Sequence, residues 1–356
     1  MMQKGTLWLA AKSGLRALAR STSKKTPPRR PCSDSVKVTM DKHSCPINIP
    51  VESGAVISTA PLLAYAGATA WTRPVMLRSF RQAKLVEQLT TVLRQSPGAR
   101  SIVYFGGAIL LLEGARTSVD FTQPDAIPRL HLTLFPLAFG WTYLMKRLVG
   151  HPQAPLPISE RFIRMGLGAG LGAASWLVVL SILRTKGWVT CPEWGWNVTS
   201  ARAVMSAMLR LGVGHAAIAW NEETLFRGYG YETFCKAIGP AGAAALLVPL
   251  FAVYHGTRPQ VLVGTSAGGA LFTVLRLFTG DVSFGLGYHW AWNVMQSAVF
   301  GPTDGLPSVR PTHINGPHVW VGRPGYAEPG GVAILVTLAT TMLAGAIWRL
   351  RKHKKT

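Results

Sequence analysis

Residues 208–228, MLRLGVGHAAIAWNEETLFRG, decide how this chain is read. A largely apolar stretch from Met208 to Trp220 runs without a turn signal into Asn221, Glu222, Glu223 and Arg227. The pattern predicts one long, partly polar helix from Ala203 to about Lys236. On it Glu223 and Arg227, four residues apart, share a face as an ion pair, while Glu222 points about 100° away. Two neighbouring carboxylates and one arginine can divide their roles, with Glu223 held ionised by Arg227 and Glu222 free to exchange a proton with water. On a soluble helix such a pair would be a solvated charge cluster. Here the flanks are apolar, and carboxylates at membrane depth mark functional sites.

Working outward, the composition agrees with a membrane setting. Of 356 residues, 15% are charged and 48% hydrophobic, with a mean hydropathy of +0.23; soluble domains carry about 25% charged residues. Ser53 to Thr72 is an uncharged run long enough to cross a hydrocarbon core of about 30 Å at 1.5 Å per residue. Further runs are Ser101–Leu112, Leu130–Met145, Met165–Leu183, Ala237–Thr257, Pro259–Leu275, Val282–Thr303 and Pro329–Trp348. Together they predict an all-α fold, a polytopic transmembrane bundle of about eight or nine helices with a polar intramembrane cavity. Glycines at 166, 168, 170 and 172 predict close helix approach. The expected organisation is a basic segment over 1–50, N-terminal transmembrane helices over 51–200, a core carrying the polar helix residues over 201–300, an extramembrane loop over 301–330, and a last transmembrane helix with a basic tail over 331–356.

The net charge of +22 is concentrated. Residues 1–39 carry nine Lys/Arg against one Asp, 73–100 carry six against one, and 349–356 carry five. A basic excess confined to the termini and one loop reads as membrane orientation rather than as a nucleic-acid groove. With 146–164 also basic, and with 113–129 and 301–330 near neutral, the positive-inside rule puts the C-terminus in the cytoplasm. A bacterial cytoplasmic membrane is the expected location. Residues 1–39 are open to three readings: a transit peptide, a basic tail on anionic lipid, or a chain whose true start is Met40. Cys32, Cys45, Cys191 and Cys235 are scattered and form no CxxC pair.

Two further constellations follow the glutamates. Phe251 and His255 share a face at the end of an apolar run. His289 and Asn293, also four apart, aim an imidazole and a carboxamide at one point. Taken singly, each histidine is better explained by a bond to a backbone carbonyl or between packed helices. Two Glu, one Arg, two His and one Asn on three membrane helices are costly without a purpose. His131, His215, His313 and His318 have no partner at telling spacing. No HExxH and no GxSxG occurs, which leaves a zincin or a serine triad unsupported.

The three motifs in this order resemble those of the CPBP family, intramembrane endopeptidases that include CAAX prenyl proteases and bacteriocin-processing or lysostaphin-resistance-like proteins. EExxxR is Glu222, Glu223 and Arg227, FxxxH runs from Phe251 to His255, and HxxxN from His289 to Asn293. The resemblance covers roughly Ala203 to Phe300. It implies a peptide bond hydrolysed by water that Glu222 and His255 activate, with His289 and Asn293 stabilising the oxyanion and Glu223 and Arg227 holding the geometry. The implied partners are the lipid bilayer and a peptide or protein substrate, prenylated or membrane-bound, and CAAX-type maturation is one substrate class. No cofactor is expected. In a metal-dependent variant Glu222, His255 and His289 would ligate zinc, with water in the fourth position.

One geometric tension accompanies this reading. His255 closes the Ala237 run near one membrane face, and Glu222 would lie at the other unless its helix continues to about Lys236; such a continuation is expected. The alternatives to a protease are a membrane immunity or binding protein that does not cut, and a proton-coupled transporter. A transporter would show paired halves, and no two-fold pattern is visible in the hydropathy.

Overall fold

The computed structural model describes residues 84–123, 125–149, 156–303, 305–323 and 328–353. The expectations for residues 1–50 and for a span over Ser53–Thr72 fall outside them. Contacts divide the chain into Met2–Lys84 and a unit from Leu85 onward, and the latter unit carries all the helices that follow.

Its long helices are α1 (Pro97–Arg116), α2 (Ala126–Val149) and α3 (Ile158–Thr185), then, after the short β1 (Val189–Thr190) and α4 (Gly195–Val198), α5 (Ala201–Phe226), α6 (Tyr229–His255) and α7 (Pro259–Thr279). α8 (Ser283–Val294) continues into a π-helical turn, Met295–Val299. β2 (His313–Ile314), α9 (His318–Val321), β3 (Gly322–Arg323) and β4 (Glu328–Pro329) lead to the last helix, α10 (Gly331–His353). β1 pairs antiparallel with β2, and β3 with β4. The fold is thus all-α. Among the described residues, helical stretches over Ile158–Thr185, Ala201–His255 (α5 and α6 taken together), Pro259–Thr279 and Gly331–Arg351 are long and apolar enough to cross a membrane.

Sequence explains several of the helix ends. Ser200 caps α5 by accepting from the Ala203 amide. Pro259 opens α7, where a missing N–H costs nothing, and Gly280 closes it in the left-handed conformation (φ 81°). The single helix expected from Ala203 to Lys236 is not formed. α5 stops at Phe226, Arg227 (φ −130°) and Gly228 (ψ −124°) leave helical geometry, and α6 restarts at Tyr229. A kink interrupts α6 at Gly239 (φ 76°), directly before Pro240. At the break between α5 and α6 the guanidinium of Arg276 takes the Arg227 carbonyl, Nε to O 3.1 Å.

The glycines of α3 set the position of α8. A Cβ on Gly168 would stand 2.0 Å from the Phe284 carbonyl oxygen, and one on Gly172 would stand 2.4 Å from that of Tyr288. Gly166 and Gly170 face open space. Backbone-to-backbone contact on one side of α3 therefore fixes the helix that carries His289. Below the site a single aromatic and aliphatic core joins Phe226, Leu247, Phe251, Leu271, Phe272 and Tyr288.

Among the described residues, basic side chains of the 84–100, 146–164 and 349–351 segments lie toward one end of the bundle. Arg94 donates to the Leu148 carbonyl (2.9 Å), Arg164 pairs with Asp281 (3.4 Å), and the Arg351 guanidinium lies 4.7 Å from the centre of the Phe278 ring.

Candidate active site

Three helices bring the motif residues together. Glu222 and Glu223 lie in the last two turns of α5, His255 is the last residue of α6, and His289 sits mid-way along α8. The break at Arg227–Gly228 does not part them: Glu222 Oε2 is 3.6 Å from His255 Nε2 and 3.7 Å from His289 Nε2.

Glu223 and Arg227 form the frame. Both are 1% exposed, and Arg227 Nη1 lies 3.5 Å from Glu223 Oε1. A buried guanidinium needs every compensation available. Arg227 also donates from Nη2 to the Gly269 carbonyl (3.0 Å) and lies over the Phe251 ring, 4.1 Å from its centroid, and the Phe272 ring at 5.3 Å. Glu223 Oε1 is in turn 3.2 Å from His289 Nδ1. The opposite side of this chain of contacts is closed by Phe272, which stacks on the His289 ring at 4.7 Å. Arg227, Glu223, His289 and Phe272 thus hold one another, and the imidazole that reaches Glu222 is fixed by Glu223.

Glu222 is held differently. It is 4% exposed, yet its Oε2 has no hydrogen-bond partner among the described residues. The nitrogens around it stand at separations a little too long for direct bonds, which leaves the lone pairs of Oε2 available to a water beside them. His255 Nδ1 donates to the Phe251 carbonyl (2.8 Å). A carbonyl can only accept, so the Nδ1 proton is committed and any proton exchange with Glu222 runs through Nε2.

A third imidazole completes the shell. His131, on α2 and 3% exposed, places Nε2 3.9 Å from Glu222 Oε1. Asn221 clamps it, with Nδ2 donating to the His131 carbonyl (3.0 Å) and lying 3.4 Å from its Nδ1. With the amide directed at Nδ1, the proton of a neutral His131 sits on Nε2, facing the carboxylate. Sequence reading gave His131 and His215 no partner, and that is corrected here: the partners come from other helices, and no local spacing announces them. Nor did it single out Asn221, although the residue adjoins the glutamates.

His215, two turns before Glu222 on α5, lies 2.6 Å from Ser297 Oγ. Ser297 donates its one proton to the Asn293 carbonyl (2.7 Å), so His215 must donate to the hydroxyl. This pair ties α5 to the π-helical turn that follows Asn293. A cavity of about 230 Å³ is lined by His255, His289, Asn293, Gln296, Trp176 and Trp292, among others. Glu222 is one contact behind its wall. Among the described residues no three His, Cys, Asp or Glu side chains are grouped as a metal site.

Comparison with known proteins agrees with the motifs. Residues 204–295 match the family model described as type II CAAX prenyl endopeptidase Rce1-like. Residues 204–295 are thus similar to an Rce1-like domain, and together with the apolar helices the class they point to is an integral, multi-pass membrane endopeptidase. No curated protein and no solved structure matches the chain.

Proposed function

We propose that this protein hydrolyses a peptide bond within the membrane by a glutamate mechanism. Water bonded to Glu222 Oε2 beside His255 attacks the scissile carbonyl carbon while Glu222 takes its proton. The tetrahedral oxygen receives its negative charge beside Asn293 and His289, whose Nε2 must carry a proton at that step because Nδ1 is committed to Glu223, and the proton held by Glu222 passes to the amine as the C–N bond breaks. Glu223 and Arg227 fix His289 and do not touch the reacting atoms. Such a base contributes about 10²- to 10⁴-fold, and donors aimed at the developing charge contribute about as much.

The observation that carries this reading is the buried Glu222 oxygen without a hydrogen bond, set between two imidazole nitrogens at 3.6 and 3.7 Å. A carboxylate serving only to bind a helix would be expected to be satisfied. A zinc-dependent variant uses Glu222, His255 and His289, which would have to close to about 2 Å around the ion. The name of the matched family makes a C-terminal CAAX-type tail the first substrate class to test. The basic side chains lying toward one end of the bundle support a cytoplasmic C-terminus.

The test is quantitative mapping of new protein termini in membranes from cells expressing wild type or Glu222→Gln, with and without chelator. Cuts absent from Glu222→Gln and indifferent to chelator are the expected result. Cuts lost to chelator in the wild type would replace the glutamate mechanism by the zinc one. Identical termini in both strains would leave a binding or immunity protein.

A further inference from the structure

A second, roomier opening lies apart from the one at the histidines. A cavity of about 800 Å³ lies at the basic end of the bundle, between the C-terminal end of α2, the first turns of α3, the break between α5 and α6, and the segment linking α7 to α8. Its walls carry Lys146, Arg161, Arg164 and Arg276 against Glu232 and Asp281, a net excess of two positive charges.

The carboxylates are already used. Arg276 pairs with Glu232 (3.3 Å), and Arg164 is shared between Glu160 (2.5 Å), outside the lining, and Asp281 (3.4 Å). Arg161 has no carboxylate partner among the described residues. Lys146 has none there either; its ammonium lies over the Tyr229 ring, 5.9 Å from the centroid. Both uncompensated cations therefore face the same space.

The rest of the lining is neither a soluble pocket nor a membrane core. Trp220, Tyr143 and Tyr229 stand beside Phe139, Phe162 and Leu286. Aromatics with a polar edge collect at the headgroup level of a bilayer, and basic pockets between membrane helices at that level bind anionic lipid heads. The volume suits a small polar group with the start of its acyl chains.

We propose that this cavity binds the phosphate group of an anionic phospholipid, with Arg161 and Lys146 supplying the charge and the aromatic wall taking the glycerol and upper acyl chain. The occupant would rest against the Gly228–Tyr229 turn, next to Arg227 of the catalytic frame. The site does not depend on the proteolytic reading, and its test reads binding alone.

The experiment titrates full-length protein, purified in a neutral detergent, with short-chain phosphatidylglycerol, short-chain phosphatidylcholine and inorganic phosphate, reading bound ligand by native mass spectrometry. It compares wild type, the double variant Lys146→Gln with Arg161→Gln, and the control Arg202→Gln, whose exposed side chain lies at the start of α5. One retained phosphatidylglycerol is expected, with phosphatidylcholine much weaker. At about 5-fold per cation, affinity should fall on the order of 25-fold in the double variant and stay unchanged in the control. Equal loss in the control, or none in the double variant, would place binding elsewhere. Inorganic phosphate binding as tightly as the lipid would overturn the lipid assignment, and no bound anion at all would overturn the site.

Discussion

His131 Nε2 faces Glu222 Oε1 at 3.9 Å, while the other oxygen of the same carboxylate faces His255 and His289. The two oxygens thus have different neighbours, one turned toward the cavity-lining imidazoles and one held from behind by α2. If the carboxylate must present Oε2 to water, His131 is its positioning residue. Replacing it by Leu should lower kcat about 10- to 100-fold with KM little changed, the size of effect that follows from misplacing a reacting group. Gln, whose amide can donate from nearly the same place, should recover much of the loss. Steady-state kinetics on a cleaved reporter peptide separate the cases. Equal loss in both variants, with KM rising, would reduce His131 to a packing role.

Glu223 and Arg227 are predicted to matter for folding as much as for rate. Arg227→Ala leaves a buried carboxylate without its cation and should destabilise the protein by about 3–5 kcal/mol. Glu223→Gln should do so less, because Gln can still accept from His289. Replacing both, as Glu223→Leu with Arg227→Met, removes the unpaired charge and should return much of the stability but not the activity. Thermal unfolding in detergent, measured beside activity, checks this. A double variant less stable than Arg227→Ala would contradict the frame described here.

Much of this site could be read locally. Glu223 with Arg227 and Phe251 with His255 are i, i+4 relations within one helix, and helical geometry alone brings such residues together. What could not be read depends on contacts between helices. The break after Phe226 lies where Arg276 captures the Arg227 carbonyl, a partner no pattern around residue 227 reveals. His131 is reached only because Gly214 of α5 lets α2 approach: a Cβ there would lie 2.4 Å from Pro128 Cβ. The four glycines of α3 could be recognised as a packing surface, but which of them touch α8 is decided by the rotation of that helix.

That rotation gives a contrasting pair of substitutions. Gly172→Ala puts a methyl group 2.4 Å from the Tyr288 carbonyl oxygen, and backbone has no rotamer with which to yield. α8 must shift, at a cost of about 1–3 kcal/mol, carrying His289 away from Glu222 and Glu223. Gly170→Ala meets nothing within 4 Å and should be neutral or slightly stabilising through helix propensity. Unfolding midpoints and cleavage rates of the two variants are the measurements. Similar behaviour in both would mean that α3 and α8 do not cross at Gly172.

The small cavity supplies the last prediction. Gly268 lines it from α7, and a Cβ there meets only Phe272, at an ordinary 3.9 Å. Gly268→Leu can therefore extend a side chain into the space bounded by His255, His289 and Asn293 without disturbing backbone. Removing a helical glycine should leave stability unchanged or raise it by up to about 1 kcal/mol. If the scissile bond is presented in this cavity, KM for a peptide substrate should rise at least about 10-fold while the unfolding midpoint holds. A smaller residue, in Gly268→Ala, should restore binding because its methyl stops at van der Waals contact with Phe272. Unchanged KM in Gly268→Leu would mean that the substrate reaches Glu222 from another side, and would direct attention to the α2 face where His131 stands.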